Sequence, residues 1–174
     1  MEKRQALHLS IGRLILSHIT PKELEEVLVD VVGHLNEGRN LVLYPEEKKK
    51  FSRLNLEAGI KARHSSAYEA ALGYLKISFE MLDPDSWESD YTLMWKLSEE
   101  LQSCFYLTGN WQSADEWTEI MLKNARTPIE KGWYWPPEPG NTPPLASFRN
   151  PLKPHIRDLN FLDSILFKFR MKPM

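Results

Sequence analysis

Apolar residues recur at helical spacing from residue 3 to about residue 131, with polar residues between them. A spacing of about 3.6 residues places the apolar side chains on one face of a helix. The pattern predicts six consecutive helices. The predicted buried faces are, in chain order, Leu7, Ile11, Leu14, Ile15 and Ile19; Leu24, Leu28, Val31 and Leu35; Phe51, Leu54, Ala58 and Ala62; Ala67, Ala70, Ala71, Tyr74, Leu75 and Leu82; Tyr91, Met94, Leu97, Leu101 and Phe105; and Ala114, Trp117, Ile120, Met121 and Ala125.

Capping residues mark the predicted helix ends. Thr20 and Glu23 form a reciprocal capping pair around Pro21, which suits the first turn of a helix. Gly38 predicts a left-handed residue that closes the second helix. The other predicted signals are a start after Tyr44-Pro45, capping pairs Ser66/Glu69 and Asp85/Glu88, and stops at Asp83-Pro84, Thr108-Gly109-Asn110 and Thr127-Pro128.

Short connections between these helices predict an all-α fold of stacked antiparallel helical hairpins. A loop of about two to five residues cannot carry the chain to the far end of the neighbouring helix. Two hairpins also show the spacing of small and large residues of the tetratricopeptide repeat, which has about 34 residues. We therefore predict a TPR-like α-solenoid, with structural repeat positions at Gly59, Ala71, Leu101, Phe105, Gly109, Trp111 and Ala114.

The sequence changes character after Lys131. Seven of the twelve prolines fall between residues 133 and 154, so neither a helix nor a central strand can run through that stretch. We predict two regions, a helical repeat region over residues 1–131 and a Pro-rich tail over 132–174. The end of the tail, from Asp158 to Arg170, has near-helical apolar spacing and is a candidate for a short terminal helix.

Composition narrows the function classes. With 22 basic and 24 acidic side chains the net charge is −2, so no electrostatic footprint for nucleic acid or an anionic membrane is expected. The first residues carry no apolar run of signal-peptide or membrane-spanning length. The single cysteine, Cys104, excludes an internal disulfide and is expected to be buried in a helix. These features together predict a cytoplasmic protein.

The motifs that phosphoryl transfer requires are missing from the sequence. There is no glycine-rich G-x-x-x-x-G-K-[ST] run for ATP phosphates and no H-R-D or D-F-G motif of a protein kinase. Ser17-His18-Ile19-Thr20-Pro21 is near a histidine-kinase phosphoacceptor pattern, but Ile19 stands where a carboxylate is needed. We expect His18 instead to contact the last carbonyls of its helix. We predict no catalytic residue and no enzyme activity.

Candidate ligand sites are equally sparse in the sequence. The five histidines, of which His155 is the last, show no pair at metal-ligand spacing, so no metal and no cofactor are predicted. The acidic residues of the second helix favour a solvated face over an acid–base pair. Trp133 and Trp135 beside Pro136 could recognise a proline-rich ligand or anchor the tail.

Three stretches together resemble the helical region of large proteins of cyanobacterial type. They are HLSIGRLILSHITPKELEEVLVDVVGHLNEGRNLV, RLNLEAGIKARHSSAYEAALGYLKISFEML and LTGNWQSADEWTEIML. In that family a serine/threonine kinase domain, an AAA-like ATPase, a helical repeat region and often a sensor histidine kinase share one polypeptide. The resemblance covers roughly residues 3 to 131 and implies a helical segment that follows the ATPase.

The leading hypothesis is a non-catalytic interaction or scaffold module whose concave surface holds a protein or peptide partner. The alternatives are an accessory subunit active only with a kinase or ATPase partner chain, and a gene fragment without selected function. Exposed apolar ends of the solenoid would favour a homodimer.

Overall fold

The computed structural model describes residues 2–127 and residue 130. Within these residues all regular structure is helical and no strand is present, as predicted. The chain divides into two compact units, Met1–Cys104 and Phe105–Met174. The helices are α1 (Glu2–His18), α2 (Pro21–Glu37), a 3₁₀-helix (Arg39–Leu41), α3 (Pro45–His64), α4 (Tyr68–Glu80), α5 (Ser86–Ser89), α6 (Tyr91–Leu107) and α7 (Trp111–Asn124).

The predicted start of α2 is confirmed. Glu23 N donates to Thr20 Oγ1 at 3.4 Å, and Thr20 N donates to Glu23 Oε2 at 2.8 Å. These two bonds satisfy amides that the first turn leaves without helical partners. Thr20 N and Thr20 Oγ1 both donate to Glu23 Oε2 at 2.8 Å, and these two bonds lower the pKa of the Glu23 carboxyl because they stabilise its charged form. The chain therefore turns from α1 into α2 within two residues.

The hairpin of α1 and α2 runs antiparallel. Arg4 Nη2 near the start of α1 lies 3.4 Å from Glu37 Oε2 at the end of α2. Leu9 and Gly12 are the buried residues of α1, and Leu9 belongs to one core cluster with buried apolar residues of α2 and α3. That cluster comprises Leu9, Leu28, Val31, Val32, Leu35, Val42, Phe51, Leu54 and Ala58.

The predicted stripe of α1 is wrong at two positions. Leu7 and Leu14 are 59% and 61% exposed, whereas Leu9 is 3% exposed. The reason is Gly12, whose missing side chain lets α2 approach closely and turns the face that contains Leu9 inward. A Cβ on Gly12 would lie 2.5 Å from Leu35 Cδ2. The sequence pattern identified the helix but not the side on which its neighbour packs.

Gly38 ends α2, but the predicted left-handed conformation is wrong. Its φ is −105°, and a 3₁₀-helix follows directly. Glycine is needed here for close approach, since a Cβ at this position would lie 2.6 Å from both Gln5 O and Leu9 Cβ. The end of α2 is therefore in contact with the backbone of α1.

The predicted capping pair Ser66/Glu69 is also wrong. Ser66 adopts a left-handed φ of 60° after the end of α3, and Ala67 precedes α4 without a side-chain cap. Serine tolerates this conformation poorly compared with glycine, so the turn is held by its backbone bonds. Ser66 N donates to Arg63 O and Ala67 N donates to Ala62 O, both at 2.9 Å.

The predicted fifth helix is split in two. Asp85 starts only the single turn α5 and makes no side-chain cap, and α6 begins separately at Tyr91. The break lies at Asp90, whose φ of −144° and ψ of 61° are not helical. At the far end of α6, Gly109 has the left-handed φ of 77° that its stop signal required.

The remaining predictions concern Cys104, membrane-spanning helices and the C-terminal region. Cys104 is buried as expected. Among the described residues, no helix has the length and apolar character that a membrane crossing requires. The predicted boundary at residue 131, the Pro-rich tail and the terminal helix at 158–170 lie outside the described residues.

Candidate binding groove between α1 and α3

An open groove of about 350 Å³ lies between the last turns of α1 and the first turns of α3. Leu16 and Phe51 line it with apolar surface, while Arg13, Glu46 and Lys50 add charged groups. Phe51 is almost fully buried and belongs to the core cluster, so this part of the lining is rigid. The groove combines a fixed apolar floor with a polar edge, as ligand sites commonly do.

A bidentate ion pair closes one side of the groove. Arg13 Nε donates to Glu47 Oε1 at 2.7 Å and Arg13 Nη2 donates to Glu47 Oε2 at 2.8 Å. The hydrogen bond to Glu47 raises the pKa of Arg13, and burial of the guanidinium opposes this effect. The fork geometry fixes both side chains, which ties α1 to the start of α3.

A second set of ion pairs connects α3 to the start of α6. Asp90 Oδ2 accepts from Lys49 Nζ at 2.7 Å and from Arg53 Nη2 at 3.0 Å. Burial alone would raise the pKa of Asp90, but the hydrogen bonds and charges of Lys49 and Arg53 outweigh it, so the pKa is lowered. The charged carboxylate at the α5–α6 break is therefore stabilised by α3.

A third set lies further along the same two helices. Arg63 Nε donates to Glu100 Oε2 at 2.6 Å, and Lys96 Nζ lies 3.0 Å from Glu100 Oε1. The Glu100 side chain is only 4% exposed, so its charge depends on these two cations. Burial and, secondly, the Glu100 charge raise the pKa of the Cys104 thiol to about 11, while Arg63 opposes them. The thiol is thus protonated at neutral pH.

Two of the three ion pairs between α3 and the segment that begins at Asp90 indicate a parallel register. Arg53 pairs with Asp90 and Arg63 pairs with Glu100, and both pairs span 37 residues. A constant separation over ten residues of helix means that α3 and α6 run in the same direction. The Arg13–Glu47 pair spans 34 residues between α1 and α3. Three of these ion pairs thus span 34 to 37 residues, while Lys49–Asp90 spans 41.

Buried polar pairs hold α3 in place between its other neighbours. Asn36 and Asn55 exchange two amide hydrogen bonds of 2.8 and 3.0 Å between α2 and α3. Ser78 Oγ of α4 donates to Ser52 O of α3 at 2.8 Å, and the two hydroxyls are 2.9 Å apart. A sliding movement of α3 would break these bonds inside the protein. They therefore specify the register of the helix that lines the groove.

The predicted repeat positions Gly59 and Ala71 meet where α3 packs closely against α4. A Cβ on Gly59 of α3 would lie 2.7 Å from Leu75 Cγ and Cδ2 and 3.4 Å from Ala71 O of α4. Ala71 is itself fully buried. The small residues thus allow α3 and α4 to approach closely.

The repeat positions predicted later in the chain lie on α6, its closing turn and α7. Leu101, Phe105 and Ala114 are buried, and Gly109 forms the left-handed turn. Trp111 is 41% exposed and contacts the Tyr106 ring edge-on, with ring centroids 4.6 Å apart. After the turn, Asn110 Oδ1 accepts from Ser113 N at 3.2 Å and caps α7.

The structure brings together two histidines that sequence spacing did not connect. His8 Nδ1 of α1 and His34 Nδ1 of α2 are 2.9 Å apart in a partly buried position. The signal that could have found them is the antiparallel pairing of α1 with α2. The expectation for His18 is confirmed, since its Nδ1 lies 2.9 Å from Leu14 O in the last turn of α1.

The sequence is similar to a hybrid signal transduction histidine kinase G of Dictyostelium discoideum, with 24% identity over 148 residues. The match covers 72% of this chain, and the chain spans 4% of the length of that relative. No family model matches the chain, and no solved structure matches it. The comparison supports a region related to a signalling kinase.

Proposed function

We propose that this chain is a non-catalytic, TPR-like helical repeat module of a signalling system, and that it binds a protein or peptide partner in the α1–α3 groove. The observation that carries the proposal is that ion pairs connect α1 to α3 and α3 to the segment that begins at Asp90, at separations of 34, 37 and 41 residues. Stacked helical hairpins place equivalent helices side by side at one repeat length.

The groove supports this assignment because it lies on the row of helices that these ion pairs connect. In stacked hairpins, the equivalent first helices of each hairpin form one continuous surface, which recognises extended peptides or helices. Leu16 supplies apolar contact beside the buried Phe51, and Lys50 with the Arg13–Glu47 pair supplies polar contact of both signs. This surface suits an amphipathic segment with both acidic and basic side chains.

Site-specific crosslinking tests the proposed surface. A photoreactive phenylalanine analogue replaces Ser17 at the groove, and in a matched variant it replaces the exposed Asp30 on α2. We expect one protein to be crosslinked from position 17 and not from position 30. Charge reversal in Lys50→Glu should weaken that crosslink, whereas Lys22→Glu on α2 should leave it unchanged. Equal labelling from both positions, or none from position 17, would contradict the proposed groove.

A second candidate is an accessory subunit of a kinase, and the similarity to a hybrid signal transduction histidine kinase favours it. It predicts that the purified chain changes the autophosphorylation rate of a partner histidine kinase. The non-catalytic proposal and this alternative both expect no nucleotide binding by the chain alone. Saturable ATP binding in calorimetry would therefore refute both.

A further inference from the structure

His8 and His34 face each other across the α1–α2 hairpin. Their Nδ1 atoms are 2.9 Å apart, and their ring centroids are 5.0 Å apart with an angle of 33° between the rings. Both residues are half-buried, so solvent reaches the pair while the helix contact holds the rings. In the metal-free pair one Nδ1–H donates to the other ring, whose Nδ1 accepts.

We propose that His8 and His34 form a two-histidine Zn²⁺ site that links α1 to α2. Imidazole is a common zinc ligand, with Zn–N distances of about 2.0–2.1 Å. Two such bonds at a tetrahedral angle need Nδ1 atoms roughly 3.3 Å apart. The Nδ1 atoms must separate by a few tenths of an ångström, and both rings must turn so that their lone pairs converge on one ion; side-chain rotation supplies both changes.

The protons balance without an added base when both rings are neutral. The ring that donates through Nδ1–H shifts its proton to Nε2, and the other ring already carries its proton there. Each Nδ1 lone pair then binds the ion. Both rings end as Nε2–H tautomers, and no proton is lost to solvent.

The residues around His8 and His34 determine which further ligands the zinc ion takes. Among the residues that the structure describes, no group of three or more His, Cys, Asp or Glu side chains is placed to hold a metal. Water therefore completes the coordination of the ion. One turn away on the same two helices, the Arg4–Glu37 ion pair continues the α1–α2 contact. The inference is independent of the proposed partner groove.

Thermal unfolding of the full chain with ZnCl₂, and again after EDTA, tests the site. A ligand that binds only the folded state raises the melting temperature. We expect a rise for the wild-type chain that EDTA reverses, a loss of this rise in His34→Gln, and an unchanged rise in the matched control His64→Gln. His64 is exposed at the end of α3. No rise in the wild type, or an equal rise in His34→Gln, would overturn the proposal.

A measurement on the unaltered protein covers the case in which His34→Gln does not fold. Nitrogen-15 NMR of the imidazoles distinguishes the two tautomers. We expect zinc to convert the pair to two Nε2–H rings with shifted Nδ1 signals, at one zinc ion per chain. Unchanged signals from these two rings at saturating zinc would refute the site.

Discussion

Replacing Gly59 by alanine tests the close contact on which the predicted repeat depends. The new Cβ would lie 2.7 Å from Leu75 Cγ and Cδ2, and Leu75 is fully buried and cannot rotate into solvent. Overpacking of this kind costs about 1–3 kcal/mol. Alanine gains about 1 kcal/mol over glycine in a helix interior, which partly offsets the cost. The net loss in unfolding free energy is therefore about 0–2 kcal/mol.

Gly73→Ala provides the matched control, because Gly73 is in the interior of α4 and a Cβ there meets nothing within 4 Å. The helix-propensity gain is common to both variants, so their difference isolates the packing cost. We expect Gly59→Ala to be less stable than Gly73→Ala by about 1–3 kcal/mol in urea unfolding.

A double-mutant cycle identifies the source of that cost. If Leu75 causes it, Gly59→Ala should be less harmful in a Leu75→Ala background, because the opposing side chain is gone. The coupling energy should be about 0.5–3 kcal/mol, in the direction of relief. Equal stability of Gly59→Ala and Gly73→Ala, or additive effects in the cycle, would refute the reasoning.

Three further predictions each test one feature by a separate measurement. Asn55→Ala leaves the buried amide of Asn36 without its partner and should cost about 1–3 kcal/mol in urea unfolding; an unchanged midpoint would contradict it. Asp90→Asn should destabilise the chain at neutral pH. Because the pKa of Asp90 is lower in the folded state, its charged carboxylate stabilises the folded state above the unfolded pKa of about 3.9. That stabilisation should disappear as pH falls through the folded pKa, so the wild-type and variant stabilities should converge; a pH-independent gap would contradict this origin. If the exposed Leu7 and Leu14 form the expected homodimer contact, Leu7→Lys with Leu14→Lys should abolish wild-type dimerisation in sedimentation equilibrium; a monomeric wild type would exclude it.

Sequence pattern was sufficient where the signal is local. The capping box at Thr20 and Glu23 depends on residues three apart, and the turn at Gly109 depends on one backbone conformation. The apolar faces of α2 and α3 were also correct, because these helices contact neighbours on the side that periodicity marks.

The errors arose where a distant part of the chain decides the conformation. The exception is Ser66, where local backbone hydrogen bonds to Arg63 O and Ala62 O hold a left-handed turn although a serine there resembles a cap. At Gly38 a glycine is needed because α1 packs closely against it, and its backbone does not adopt the left-handed conformation that ends many helices. The local sequence does not indicate which helix will pack against a given residue. For the same reason, the pairing of His8 with His34 was invisible from their spacing.

The break at Asp90 also bears on the proposed repeat architecture. An uninterrupted helix from Asp85 would continue through Asp90 with no separate turn at this position. The split into α5 and α6 instead leaves Asp90 at a non-helical position where it accepts from Lys49 and Arg53. The Arg13–Glu47 pair spans 34 residues, whereas Arg53–Asp90 and Arg63–Glu100 span 37 and Lys49–Asp90 spans 41. The longer separations include α5, so in the proposed repeat architecture the extra turn lengthens one repeat while the ion pairs keep α6 parallel to α3. Deleting α5 should then disrupt the Asp90 contacts without altering the α1–α2 hairpin. Unchanged hydrogen exchange of the α2 amides would show that the hairpin is unaffected.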